Sequence, residues 1–132
     1  MPGNQDANIK LLYVVDENSF FTADTVDVGA AFDVIANVEI GKDLMEVVSK
    51  ENLFVSVVNL SQSTVLQQQT LENVLTPVAN PDPLNQELRI KVSGGWTANE
   101  GDVLEAIATY KVTAGVYTDY SAARSGTVVV SA

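Results

Sequence analysis

The side chains in this sequence that could do chemistry are carboxylates, amides and a few aromatic rings. Asp16, Glu17, Asn18, Asp24 and Asp27 cluster early, and Asp82, Asn99, Glu100, Asp102 and Asp119 recur in later turn-rich stretches. Hard oxygen donors of this kind suit calcium. Asp16, Glu17, Asp24, Asp27, Asp102 and Asp119 are therefore the candidate calcium ligands. No Asp-x-Asp-x-Asp-Gly loop selects a coordination set, and solvated loop acids are the plain alternative. Trp96 follows Gly94-Gly95, and Tyr117 and Tyr120 flank Asp119. Aromatic rings in loops give rigid contact area with a polar tip, so these three are candidate ligand contacts. The competing reading packs them over one end of the core.

The missing residue types exclude more than the present ones suggest. The 132 residues include no histidine and no cysteine. Serine and cysteine triads therefore lose their base or nucleophile, and zinc loses its preferred ligands. No Walker loop or Gly-x-Gly-x-x-Gly run cradles a phosphate, and no organic cofactor is implied. Paired carboxylates could still hydrolyse glycosides, but nothing in the spacing selects two of them. The chain reads as a non-enzyme. Asn59-Leu-Ser61 fits the glycosylation pattern inside an expected strand.

Acids outnumber bases 17 to 7, for a net charge of −10. Phosphate backbones and anionic lipid surfaces both need Lys and Arg, so neither nucleic acid nor membrane docking is expected. Up to Glu39 there are seven acids against Lys10 alone. No run of 18 apolar residues exists to span a bilayer. Residues 1–8 lack the basic start and apolar stretch of a signal peptide and read as a disordered lead-in to one domain over 9–132. If the chain is an excised piece of something larger, an extracellular or surface location fits it.

The elements that must position these groups are strands. Phe32, Val34, Ala36, Val38 and Ile40 alternate with Asp33, Asn37 and Glu39. Leu88, Ile90 and Val92 alternate with Glu87, Arg89 and Lys91, and Leu104 to Val112 repeats the pattern. Period-2 alternation puts one face in a core and the other in water. Strands are expected at 9–15, 30–41, 53–60, 63–69, 85–93, 102–114 and 125–131, with a short one near 22–28. Asn80-Pro-Asp-Pro83 and the Gly94–Gly101 stretch are turns, and Gly115 and Gly126 bracket a long connection. Asp43-Leu-Met-Glu46 has capping-box spacing, and Glu46 and Lys50 form an i,i+4 pair, which together predict one helical turn.

About seven amphipathic strands imply an all-β fold, a two-sheet antiparallel sandwich. The strand from Leu104 to Val112 after Asn99-Glu-Gly-Asp102, and the closing strand after Ser125-Gly126, resemble those of immunoglobulin-like and fibronectin type III-like modules. The resemblance is to the superfold. A jelly roll fits the same pattern. The immunoglobulin-like resemblance implies a non-catalytic interaction or assembly module, on a cell surface or particle, that binds a protein partner or itself through edge strands or loops. The first strand and Val128-Val129-Val130 are the expected edges. A calcium- or carbohydrate-binding accessory domain is the alternative.

Overall fold

Alternation in the sequence becomes alternation in burial. The structure, a computed structural model, describes residues 6–79 and 81–132. These residues form, in chain order, β1 (Ala7–Asp16), β2 (Thr25–Asp27), β3 (Phe32–Ile40), α1 (Lys42–Met45), β4 (Lys50–Asn59), β5 (Thr64–Val74), β6 (Leu84–Val92), β7 (Val103–Ala114), β8 (Tyr117–Arg124) and β9 (Val128–Ser131). In β7 every second residue, from Leu104 to Ala114, is buried. Its inward row, Leu104, Ala106, Ala108, Tyr110, Val112 and Ala114, is the longest stripe of the core.

Two sheets face each other across that core. One has the order β1-β3-β6. The other runs β2-β9-β7-β4-β5, with β8 also paired to β7. All pairings are antiparallel except the short β2–β9 pair, which is parallel. β7 is the spine of the wider sheet. One edge lies along β4, and the other is shared by β8 along Ile107–Ala114 and β9 at Val103–Leu104. Ser125 makes the change of partner: its N–H donates to Ala106 O, and its Oγ accepts from the Ala106 N–H at 2.9 Å. The fold is thus an all-β sandwich, as the alternation required.

Three carboxylates are buried within it. Glu51 accepts from Tyr110 Oη at 2.5 Å, Asn73 Nδ2 at 3.0 Å and Gln86 Nε2 at 3.1 Å. Tyr110 comes from β7, Asn73 from β5 and Gln86 from β6, so this one side chain joins both sheets. Burial, and then the Glu51 acceptor beside it, push the Tyr110 phenol far above its ordinary range. Asp33 accepts from Arg89 Nη1 and the Asn18 N–H. Arg89 also donates to Ser19 O at 2.7 Å, which pins the loop after β1 onto the smaller sheet. Asp102 accepts from Asn59 Nδ2 at 2.9 Å and from the Asn99 N–H at 2.9 Å.

Several elements differ from expectation. The residues 1–5 of the expected lead-in lie outside the described residues, and Ala7 and Asn8 already belong to β1. Asn80 of the expected Asn80–Pro83 turn also lies outside them. The helical turn is present but spans Lys42–Met45, with Gly41 at its N-cap and no side-chain cap, so no capping box forms at Asp43. Lys50 belongs to β4 and bridges Glu72 at 3.7 Å, so the helical Glu46–Lys50 pair does not exist. The stretch between Gly115 and Gly126 is strand β8, because Gly115 at φ 63° turns the chain straight back from β7. β5 continues to Val74, beyond the expected end at residue 69. The last strand lies between β2 and β7 and is not an edge.

Removing the Tyr110 hydroxyl would take one donor from buried Glu51 and leave the packing intact. Tyr110→Phe is expected to lower unfolding free energy by about 1–3 kcal/mol. Urea denaturation with an unchanged slope would check this, and an unchanged midpoint would refute it.

Candidate interaction surface

Trp96 is part of the core. It is 7% exposed, meets Phe32 edge-to-face at 6.1 Å and donates from Nε1 to Ala30 O at 2.8 Å. The backbone around it is close-packed: a Cβ on Gly94 would meet Gly29 O at 2.9 Å. Tyr117 and Tyr120 lie on strand β8 and not in a loop, and both are exposed. Tyr120 sits beneath the Lys111 ammonium, and Tyr117 lines a shallow hollow with Asp43, Leu44 and Val47.

The candidate calcium ligands are spread through the fold. Asp16 ends β1, Glu17 and Asp24 lie in the exposed stretch before β2, and Asp27 ends β2 and accepts from Ser131 Oγ at 2.7 Å. Asp119 on β8 accepts from the Ala7 N–H at 2.6 Å. Asp102 is held by Asn59, Asn99 and Gln62, contacts that keep its carboxyl below the ordinary value, Asn59 most of all. Among the described residues no three acidic side chains group in a way that could hold a metal ion. Asn59 is buried against Asp102, so its amide is not presented as a glycosylation acceptor.

The surface with unspent bonding capacity is a strand edge. An edge strand offers unpaired N–H and C=O groups unless something guards it. β1 has a bulge at Lys10, and its outer amides are met from β8: Ala7 by Asp119, and Ile9 by Ser121 Oγ at 3.1 Å. β6 follows Pro81 and Pro83 and carries Glu87, Arg89 and Lys91. Just past its end, Gln67 imitates a strand partner: its Oε1 accepts from the Ser93 N–H and its Nε2 donates to Ser93 O. β2 has three residues and ends in Asp27. β8 has its edge turned to β1 by the same Asp119 and Ser121 contacts.

β5 is different. It pairs with β4 alone among the described residues and is 11 residues long. It contains no proline, and Glu72 is its one charged residue. The register with β4 slips once, at Leu66, and from Gln67 to Val74 the pairing is regular. Glu72 is itself neutralised. It accepts from Asn52 Nδ2 at 2.9 Å and bridges Lys50, and these contacts, Asn52 first, hold its carboxyl below the ordinary range.

The outer face of the wider sheet continues from this edge. Cross-strand rows place Tyr120, Lys111, Asn52 and Glu72 side by side, and Ala122, Thr109, Phe54 and Thr70 in the next row. Phe54 is 40% exposed at the centre. Lys50, Lys111 and Arg124 face Glu72 and Glu105 here, so three cations meet two carboxylates on a chain of net charge −10. A second apolar display is Phe20 and Phe21, exposed on the loop after β1, with Arg89 4.8 Å from the Phe20 ring centre.

Sequence reading expected a strand at 63–69 but did not single it out as an edge, and it passed over Phe20-Phe21. The available signals were the charge-poor Thr64–Leu71 run and two adjacent phenylalanines in a turn. No family model matches the chain, and no curated protein matches it.

Two outcomes follow from this placement. Folding depresses the Asp102 carboxyl, so its contribution to stability is present above the unfolded value and is lost as pH falls through the folded one. Asp102→Asn should therefore be less stable than the parent at neutral pH. The gap should narrow as pH drops below the ordinary aspartate value of 3.8. A gap that stays constant with pH in chemical denaturation would contradict it. The single tryptophan, Trp96, should emit as a buried indole and resist acrylamide quenching until the chain unfolds; solvent-like quenching of the folded protein would place it outside the core.

Proposed function

We propose that this chain is a non-catalytic immunoglobulin-like interaction or assembly module that accepts a partner's strand at β5. The observation that carries the reading is that, among the described residues, β5 pairs on one side only, while the other edges are bulged, shortened, charged or capped. Strand addition at such an edge takes its affinity from main-chain hydrogen bonds and its selectivity from alternate side chains. The strand order supports the immunoglobulin-like assignment. A β1-β3-β6 sheet packs on a β5-β4-β7 sheet whose far edge is divided between β8 and β9, and β2 runs parallel to the last strand. An order of this kind favours a fibronectin type III-like or immunoglobulin-like reading over a jelly roll, with β2 as a short extra strand beside the last one.

The lack of histidine and cysteine, and the engagement of Glu51, Asp33 and Asp102 by neighbouring donors, speak for a binding role over acid–base chemistry. Fold alone is a weak warrant for function, so the test addresses the edge directly. A photo-crosslinking residue placed at Gln68 or Thr70 in the native host should yield a discrete covalent adduct. The same residue at Lys91, on the outer face of the smaller sheet, should not. Absence of any adduct from the β5 positions would overturn the reading.

A further inference from the structure

We infer that the strand β5 accepts is the β5 of a second copy of this chain, run antiparallel about a two-fold axis near Gln69–Thr70. This rests on the strand-acceptor reading above and names its partner. An antiparallel pairing of identical strands is isologous: each copy gives and receives the same backbone groups, so the edge is its own complement.

The side chains of β5 suit this arrangement. Gln68 and Gln69 lie at the middle of the strand, beside Gln67, whose amide is already spent on Ser93. A primary amide is both donor and acceptor, so glutamines brought together across an axis can satisfy one another, which like charges cannot. The regular segment, Gln67 to Val74, is centred close to that run. With the axis anywhere from Gln68 to Thr70, Glu72 lies opposite Thr64 to Gln68 and never opposite the other Glu72. Glu72 is already paired with Lys50 and Asn52 in its own copy.

Charge distribution favours the same partner. The chain carries −10 overall, and two copies repel through most of their surface. The face next to β5 is the exception, with Lys50, Lys111 and Arg124 against Glu72 and Glu105. Joining at β5 makes that face continuous across the dimer and keeps the acidic stretch from Asp16 to Asp27 away from it. The far end of the same sheet is closed by three-residue β2 and by β8 turned to β1, so growth stops at two copies.

The test is sedimentation equilibrium over a concentration series reaching about 1 mM, the range in which even weak pairing is populated. Thr70 is exposed on the outer face of β5, beside Phe54, so a charge there can stay in water and is expected to spare the monomer. The parent chain should dimerise. Thr70→Lys and Thr70→Glu should each weaken the dimer about tenfold or more by like-charge contact across the axis. An equimolar mixture of the two should recover it as a heterodimer. Circular dichroism melts matching the parent would keep misfolding out of the result.

A parent chain that stays monomeric throughout overturns the second copy as partner. If Gln68 and Thr70 still crosslink another protein in the host, the interaction-module reading survives that failure. A dimer indifferent to both substitutions, or single variants that the mixture does not rescue, overturns β5 as its seat.

Discussion

Every backbone N–H and C=O at the rim of a sheet must find a partner or stay in water. Much of this molecule's irregularity answers that requirement. β7 satisfies one edge with β4 and cannot satisfy the other with a single strand, so β8 and β9 divide it and Ser125 fills the kink. β1 would be a bare rim of the smaller sheet. The inward positions of β8, where a hydrophobic residue would ordinarily stand, hold Asp119 and Ser121, whose oxygens meet the β1 amides. Gln67 plays the same part at the opposite seam. Polar side chains thus sew the two sheets along both margins, and among the described residues β5 is the long strand whose outer edge neither a bulge nor a row of charges guards.

The buried carboxylates act on the same scaffold from within. A charge or strong acceptor in a core is tolerable only with good partners. Each of the three has partners drawn from distant parts of the chain: Glu51 from three strands, Asp33 from β6 and the loop after β1, Asp102 from the end of β4 and the turn before β7. A slip of one residue in any of those strands would strand a carboxylate without donors. These networks therefore help to fix register, and a fixed register holds the outer rows of the wider sheet in line with β5.

How much of this was legible in the sequence varied with the surroundings of each strand. β6 and β7 each bury one face, and β3, buried on both faces over Phe32–Ala36, still carries its apolar row on alternate positions, so these strands read directly. β8 was illegible for a physical reason. Its inward positions serve β1 as hydrogen-bond acceptors, so Tyr-Thr-Asp-Tyr-Ser-Ala-Ala-Arg has no hydrophobic period. β5 was half legible: at the margin of the sheet neither face is fully buried, and Gln-Gln-Gln gives no alternation to follow. Trp96 looked like a loop contact because it stands between turn residues. The loop folds inward, and the ring reaches Phe32 from outside any strand. The acids showed their number but not their partners. Donors such as the amide of Ala7 come from residues more than a hundred positions away, which local spacing does not reveal.

An unguarded edge is a hazard as well as a handle, since it would pair with any extended chain. Guarding by local charge was available, as β6 illustrates with Glu87, Arg89 and Lys91. On β5 the one carboxylate is instead tied to Lys50 and Asn52. The protection comes from the whole molecule. A net charge of −10 repels other acidic chains over roughly a Debye length, about 8 Å at physiological salt. Main-chain pairing acts at contact distance and can prevail only where local charge is balanced, which is the face beside β5. On the proposed pairing, long-range repulsion together with a balanced patch would select one orientation of approach and reject the rest. On this argument the acidic composition, which says nothing specific when read as a sum, is what lets a strand edge stay open without becoming indiscriminate.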